Sequence, residues 1–249
     1  MRIDFSTSAG SRLENQDNAF ILNAFSSVPY AEQQNSFDFR TRVPNEKPLL
    51  LGVLDGVGGG HINGAILSQL AAQTMHNAFC FGSFQLPGLA QQLRGAALCA
   101  NEQVRSACGG SHLGGTTLCA AAIWKNQGLL VALGDSPAYL LQGRVLRPLY
   151  TPQNLWHQKI SEGQKASPAD ASHLLAYLGM EPAEANQNLV MQPFQFQKGD
   201  CLLLCSDGLA LNRRLLGFAL RCHASAKALA DTSRFKKSSD NTTVMIVRF

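Results

Sequence analysis

The sequence predicts an α+β fold built on antiparallel strands. Three observations carry that prediction. Short apolar runs recur at 49–54, 117–124, 129–133, 138–141, 201–205 and 242–249, with a weaker one at 20–22, and read as strands. Asn126-Gln127-Gly128 and Gln142-Gly143 stand between runs as hairpin turns. Such links are too short for a parallel crossover, which needs about a dozen residues or more. Finally, two helical patterns follow one another between strand groups instead of alternating with strands.

Taken in order, 26–48 is polar and without period, so it reads as a surface loop. The first helix is marked by Ile66, Leu67, Leu70, Ala71, Met75, Ala78 and Phe79. The second is marked by Leu89, Leu93, Ala96, Ala97, Ala100 and Val104, again at i, i+3/i+4 spacing. The stretch 152–194 is long and mixed, and reads as short helices over one edge of the core, a flap-like segment. No repeat or low-complexity tract divides the chain, so 1–249 is expected to be a single domain.

Composition narrows the function. Apolar residues make up 45% and charged residues 15%, which suits a folded core and excludes a disordered chain. A net charge of +4 is too mild to indicate nucleic acid. The basic excess gathers from Arg213 onward: Arg213, Arg214, Arg221, Lys227, Arg234, Lys236, Lys237 and Arg248 stand against Asp231 and Asp240. We read it as a solvated helix face and loop rather than a patch for an acidic partner. The apolar runs are too short to insert in a membrane, and the first residues lack a signal-peptide stretch. Seven cysteines, an odd number without a Cys-x-x-Cys pair, read as reduced thiols in a cytoplasmic protein. Cys201 and Cys205 read as core rather than ligands.

Chemistry is suggested by where aspartates fall. Asp55, Asp135 and Asp207 each stand where a nearly all-apolar strand stops, and Asp240 stands just before one begins. A single acid there is an ordinary turn former. Four can meet on one rim, because antiparallel neighbours place a strand's end beside the next strand's start. Clustered carboxylates repel and lose hydration, so they need compensating positive charge. An oxygen-only cluster suits Mg²⁺ or Mn²⁺ rather than zinc.

These residues fall within a set of motifs that resembles the metal-dependent Ser/Thr protein phosphatases of the PPM, or PP2C, class in its compact bacterial form. Arg12-Leu-Glu-Asn-Gln-Asp17 is similar to R-x-x-N-[EQ]-D, and Asp55-Gly56-Val-Gly-Gly to D-G-[MV]-G-G. Gly115-Thr116-Thr117 matches G-T-T, and Gly134-Asp135-Ser136 with Ala138-Tyr139 resembles G-D-S-R-x-Y. Ser206-Asp207-Gly208 matches S-D-G, and Asp240-Asn241 with Thr243 matches D-N-x-T. Each motif is weak alone, but six in order span nearly the whole chain.

The resemblance implies a sandwich of two antiparallel β-sheets flanked by α-helices, with a binuclear metal centre at one end. It implies that Asp55 bridges two Mn²⁺ or Mg²⁺ ions, with the Gly56 carbonyl as a further ligand. Asp207 and Asp240 would hold the first ion, Asp17 would support the second, and Asp135 would serve a third, weaker site. Arg12 would grip the substrate phosphate, and Asn241 would support the ligands from behind. Gly115, Thr116 and Thr117 would be structural. The implied reaction is hydrolysis of phosphoserine and phosphothreonine by a metal-activated water, with Asp55 and Arg12 at its centre. The implied partners are phosphorylated proteins, substrates of a bacterial Ser/Thr kinase that this monomer would oppose.

Several residues depart from the pattern. Gln16 stands where many members have a glutamate, and Val57 where animal enzymes carry a histidine proposed as general acid. His61 is nearby but reads as a loop residue. Pro137 replaces an arginine, and Gln153-Asn154 replaces an Asp-His pair. These changes bear on substrate handling more than on metal binding. They keep open a second reading, a pseudophosphatase that binds phosphoproteins without turning them over. A P-loop is excluded because Gly115 sits where its lysine belongs, and a zinc hydrolase because no His-x-x-x-His pair is present.

Overall fold

Strands that are apolar at nearly every position have both faces covered, and that is the arrangement found. The computed structural model describes residues 1–23, 27–28, 35–44, 48–58, 62–79, 86–110, 114–235 and 240–249. In chain order the elements begin with β1 (Arg2–Ser8), β2 (Asp17–Asn23), β3 (Ser27–Val28), β4 (Ser36–Arg42) and β5 (Leu49–Val57). Then come α1 (Gly64–Ala78), α2 (Leu86–Ala107), β6 (Gly115–Thr116), β7 (Leu118–Trp124), β8 (Gln127–Leu133), β9 (Ala138–Gln142) and β10 (Val145–Pro148). They are followed by α3 (Leu155–Ser161), a 3-10 turn (Pro168–Ser172), α4 (Pro182–Asn188), β11 (Val190–Gln195) and β12 (Cys201–Cys205). The series closes with α5 (Arg213–Arg221), α6 (Ala226–Phe235) and β13 (Thr242–Arg248).

Among the described residues one sheet runs β10-β9-β12-β13-β1-β4 and the other β11-β8-β7-β5-β2-β3, with β6 paired to β5. Their strand pairings are antiparallel, as the short turns predict. Three buried clusters show the layering. Ile3, Leu51, Val53, Leu202, Leu204 and Met245 belong to the core between the sheets. Leu50, Leu54, Leu67, Met75 and Leu93 pack one sheet against α1 and α2. Leu203, Ile246, Leu216 and Leu229 pack the other against α5 and α6. Successive residues of β5, β12 and β13 therefore feed two cores in turn, which is why they read as continuous apolar runs. Truncating one of these buried leucines to alanine costs about 2–5 kcal/mol.

The sandwich and its flanking helices match the expectation, and details differ. The polar stretch 26–48 holds β4, a strand at the sheet edge rather than loop throughout. Its exposure alternates residue by residue, with Phe37 and Phe39 half-buried against the inter-sheet core. Ile66 and Ala78 face solvent on α1, while Leu67, Ala71 and Met75 face in. The six apolar markers of α2 are all buried. Cys201 and Cys205 lie in the core beneath α5 and α6. The stretch 152–194 contains short helices and ends in β11, which pairs with β8. It is tied to the core by Asn101 of α2, whose amide donates to the Met180 carbonyl and accepts from Gly179 N–H. No helix among the described residues is long and apolar enough to cross a membrane.

Candidate active site

One end of the sandwich carries a cavity of about 280 Å³ whose wall includes Arg12, Gln16, Asp55, Gly56, Val57, Asp135, Asp207, Asp240 and Asn241. Strand register explains the convergence. On β2 and β5, Asp17 and Asp55 are directly opposite partners, so their side chains project from the same face, an unfavourable placement for two like charges. Cys205 and Val244 pair near the end of β12 and the start of β13, which brings Asp207 and Asp240 to the same rim. Asp17 lies below it, with Oδ2 accepting from the Ser206 hydroxyl at 2.7 Å. Every acid expected at the site is thus at or beneath one rim.

The motif residues around these acids hold backbone. Thr116 Oγ1 donates to the Asp55 carbonyl at 2.9 Å, and Thr117 N–H donates to it at 2.8 Å. Thr117 Oγ1 accepts from Asp55 N–H at 2.9 Å and pairs with the Ser136 hydroxyl at 2.6 Å. Asn241 fastens the segment bearing Arg12. Its amide donates to the carbonyls of Ala9 and Glu14 and accepts from Gln16 N–H. The glycines serve close approach. A Cβ on Gly56 would lie 2.1 Å from the Gly64 carbonyl oxygen, and one on Gly208 would lie 1.8 Å from that of Asn241. Such contacts leave no room for a side chain.

Electrostatics set the rim apart. Burial pushes the Asp17 carboxyl up to about 7, and the charges of Asp207 and Asp240 add to the rise. Burial does the same to Asp135, also to about 7, with help from Asp207. Asp55 lies well above the ordinary carboxylate range through burial and then the charges of Asp17, Asp207, Asp135 and Asp240. Asp207 is raised by burial and by Asp240. Arg12 meets Asp240 at 3.1 Å, Nη2 to Oδ1, and both side chains are about half exposed.

These residues fit divalent cations in chemistry. The acid donors are all oxygen, as Mg²⁺ and Mn²⁺ prefer, and Asp17 Oδ1 is buried without a hydrogen-bond partner among the described residues. Among the described residues no three His, Cys, Asp or Glu side chains are gathered as a ready metal cluster. Asp55 and Asp207 already share a hydrogen bond, and cation binding would draw the remaining carboxylates toward that pair.

The structure also places residues the motifs did not single out. A second cavity, about 400 Å³, shares Asp135 and Asp207 and adds Tyr139, Tyr150, Asn154, His157 and Arg213. Asn154 donates to Asp135 Oδ2 at 3.1 Å while its Oδ1 accepts from His157, both N–H and Nδ1. Gln153 Oε1 accepts from Gly134 N–H at 2.7 Å. The one sequence signal for this pair was its substitution for Asp-His. Ser172 and Leu174 reach the acid-lined cavity from the 152–194 segment. His61, Gly59 and Gly60 lie outside the described residues.

A two-sheet antiparallel sandwich with an acidic rim at strand ends defines the fold class, and comparison with known proteins makes it specific. No family model matches the chain. The serine/threonine phosphatase stp of Listeria welshimeri serovar 6b is 32% identical over 220 residues, covering 82% of this chain and 85% of the relative. Among solved structures, the Mycobacterium tuberculosis serine/threonine phosphatase PstP/Ppp superposes with a TM-score of 0.74 at 23% identity, over 99% of this chain and 98% of that one. The catalytic domain of PstP in complex with two manganese ions gives 0.72 at 23% identity, over 99% and 98%. The chain belongs to the PPM, or PP2C-type, family of protein serine/threonine phosphatases.

Proposed function

We propose that residues 1–249 form one catalytic domain that hydrolyses phosphoserine and phosphothreonine in proteins, using Mn²⁺ or Mg²⁺ held by the rim. The observation that carries the reading is a set of mutually repelling carboxylates: Asp55, Asp135, Asp207 and Asp240 line a cavity that also presents Arg12, and the buried Asp17 lies beneath it. Asp55, Asp207 and Asp240 with the Gly56 carbonyl would hold the cations, Asp17 would support them from below, and Asp135 would add a third, weaker site. When bound, divalent cations supply a water activated for attack and neutralise phosphoryl charge. A retained manganese pair in the PstP catalytic domain supports this by analogy of fold.

The chain's own residues do the rest. Arg12 is half exposed at the mouth; its planar fork suits two phosphoryl oxygens at once. Exchange of the Asp240 carboxylate for substrate phosphate would orient phosphorus over Asp55. Asn241 keeps Arg12 in place by holding the backbone on both sides of it. Thr116 and Thr117 keep Asp55 from drifting with its strand end. Val57 is apolar and exposed at the wall, so it gives no proton to the leaving oxygen.

Phosphorylated proteins are then the partners, and a Ser/Thr kinase the opposing activity. A cytoplasmic monomer goes with that reading, from the sequence alone. The test is phosphate release from a phosphothreonine peptide titrated with Mn²⁺. Turnover should rise from baseline with metal and vanish in Asp55→Asn. Turnover unchanged by chelation would overturn the metal reading, and bound metal without turnover would favour the phosphoprotein-binding module.

A further inference from the structure

The basic excess from Arg213 onward divides into two groups. Lys227 pairs with Asp38 at 2.7 Å, and Arg248 donates to the Leu220 and Ala224 carbonyls. Those two serve structure. Arg213 and Arg214 have no such bond among the described residues, and Arg221 spends one N–H on a carbonyl of the neighbouring hairpin. With Arg144, from the turn between β9 and β10, they line a cavity of about 240 Å³ completed by Leu146 and Gly217.

Among the described residues no acid lines that cavity, and none stands in α5 or β10. None of the four arginines forms an ion pair among the described residues, unlike Arg40, Arg105 and Lys159, which each meet a carboxylate. The wall is built rather than incidental. Leu146 of the hairpin lies in van der Waals reach of Gly217 of α5, a Cβ there standing 3.4 Å from Leu146 Cβ, so helix and hairpin pack directly on one another. Arg221 Nη1 also donates to the Arg144 carbonyl at 3.2 Å, which turns its guanidinium toward the hairpin. Concave surfaces lined by one sign of charge focus the field and draw counter-charge.

Position gives the ligand its identity. Arg213 lines this cavity and also the 400 Å³ cavity that contains Asp135 and Asp207. A chain bound at the acidic rim can therefore reach the arginines along one continuous wall. We propose that Arg144, Arg213, Arg214 and Arg221 form a substrate subsite for an anionic side chain, acidic or itself phosphorylated, on the phosphoprotein near the residue being hydrolysed. This rests on the reading of the rim as catalytic. The planar guanidinium groups suit carboxylate or phosphate oxygens.

The experiment compares p-nitrophenyl phosphate, a phosphothreonine peptide with neutral flanks, and two versions of that peptide. One version carries glutamates beside the phosphothreonine and the other a second phosphothreonine. The proteins are wild type, the double variant Arg214→Gln/Arg221→Gln, and the charge-keeping Arg214→Lys/Arg221→Lys. In wild type with Mn²⁺, kcat/KM should favour the anionic peptides by about tenfold, the size expected of a few charge-assisted contacts. The glutamine variant should lose that preference through KM, keep its rate on p-nitrophenyl phosphate, and the lysine variant should recover part of it. Fluorescence anisotropy with a labelled glutamate peptide and metal-free protein should show matching, salt-sensitive weakening. A preference shared by both peptide versions marks the charge, and one confined to the second phosphothreonine marks phosphate. Equal kcat/KM for neutral and anionic peptides in wild type, or a preference untouched in the glutamine variant, overturns the subsite. If no substrate is hydrolysed with Mn²⁺, the catalytic reading fails instead, and equal anisotropy for the neutral peptide and both anionic peptides still overturns the subsite.

Discussion

Asp170 and Asp17 are both covered carboxylates, and they live in opposite circumstances. Asp170, in the 152–194 segment, meets Lys159 Nζ at 2.8 Å and accepts from Ser167 N–H and Oγ. That company, the Lys159 hydrogen bond first, holds its carboxyl down to about 2. Asp17, beneath the rim, has only the neutral hydroxyls of Ser206 and Thr243 beside it and no cation among the described residues, and burial lifts it to about 7. The partners of Asp170 lie 3 and 11 residues away, whereas Ser206 lies 189 residues from Asp17. The segment satisfies itself locally. The rim gathers acids from distant strands and leaves their charge to be answered from outside, which is what a catalytic cation site requires.

Mutation of the rim should break that contrast most. Asp55→Asn or Asp207→Asn should lower phosphopeptide turnover on the order of a hundredfold or more, since even the outer partners of metal ligands cost about 10- to 100-fold. The same change removes a repelling charge, so the metal-free melting temperature should hold or rise. A fall in both activity and stability would show that the acids are structural. Arg12→Ala comes next. It should raise KM about tenfold with a smaller loss in kcat, measured by initial rates on a phosphothreonine peptide; unchanged parameters would remove Arg12 from the phosphate site.

Thr117→Val should cost about 1–3 kcal/mol, because it strands the Asp55 N–H and the Ser136 hydroxyl, and chemical denaturation would register it.

The pH dependence sharpens the comparison. Asp17 and Asp135 hold protons up to about 7 in the folded chain, against 3.8 for an ordinary aspartate. Between those values the folded state binds more protons than the unfolded state. Stability of the metal-free protein should therefore fall as pH rises from about 4 through 7, and Mn²⁺ should flatten that slope in melting curves. Asp170 runs the other way. Its contribution is present above about 3.8 and lost as pH falls through about 2. Asp170→Asn should have the smallest effect, faster amide exchange in 159–170 with kcat unchanged.

Much of this was legible because the rim residues announce themselves. An acid that ends an all-apolar strand is visible in the sequence, and its strand is visible because both faces are buried. Less legible were elements whose covered positions are polar. In β1, Asp4, Ser6, Thr7 and Ser8 are all buried, satisfied by partners such as Arg40, Asp38 and Thr243, so no apolar run marks it. In β4 the alternation of Phe37 and Phe39 was present but sat inside a stretch dominated by polar residues. At the site, Asn154 and His157 could not be placed from sequence, because their approach to Asp135 depends on how the 152–194 segment folds back. The arginine cavity was hidden for the same reason: Arg144 is 69 residues from Arg213 in the chain and meets it only through hairpin and helix packing.

β13 is an inner strand of its sheet, flanked by β12 on one side and β1 on the other. During synthesis, β1 can pair early with β4 on one side, but its other edge stays open until residue 248 of β13 has left the ribosome. No partly made chain can assemble the rim, since Asp240 and Asn241 arrive just ahead of that strand. A chain stopped before residue 240 lacks both these residues and the strand that joins β12 to β1, and on the proposed function it should release no phosphate with Mn²⁺.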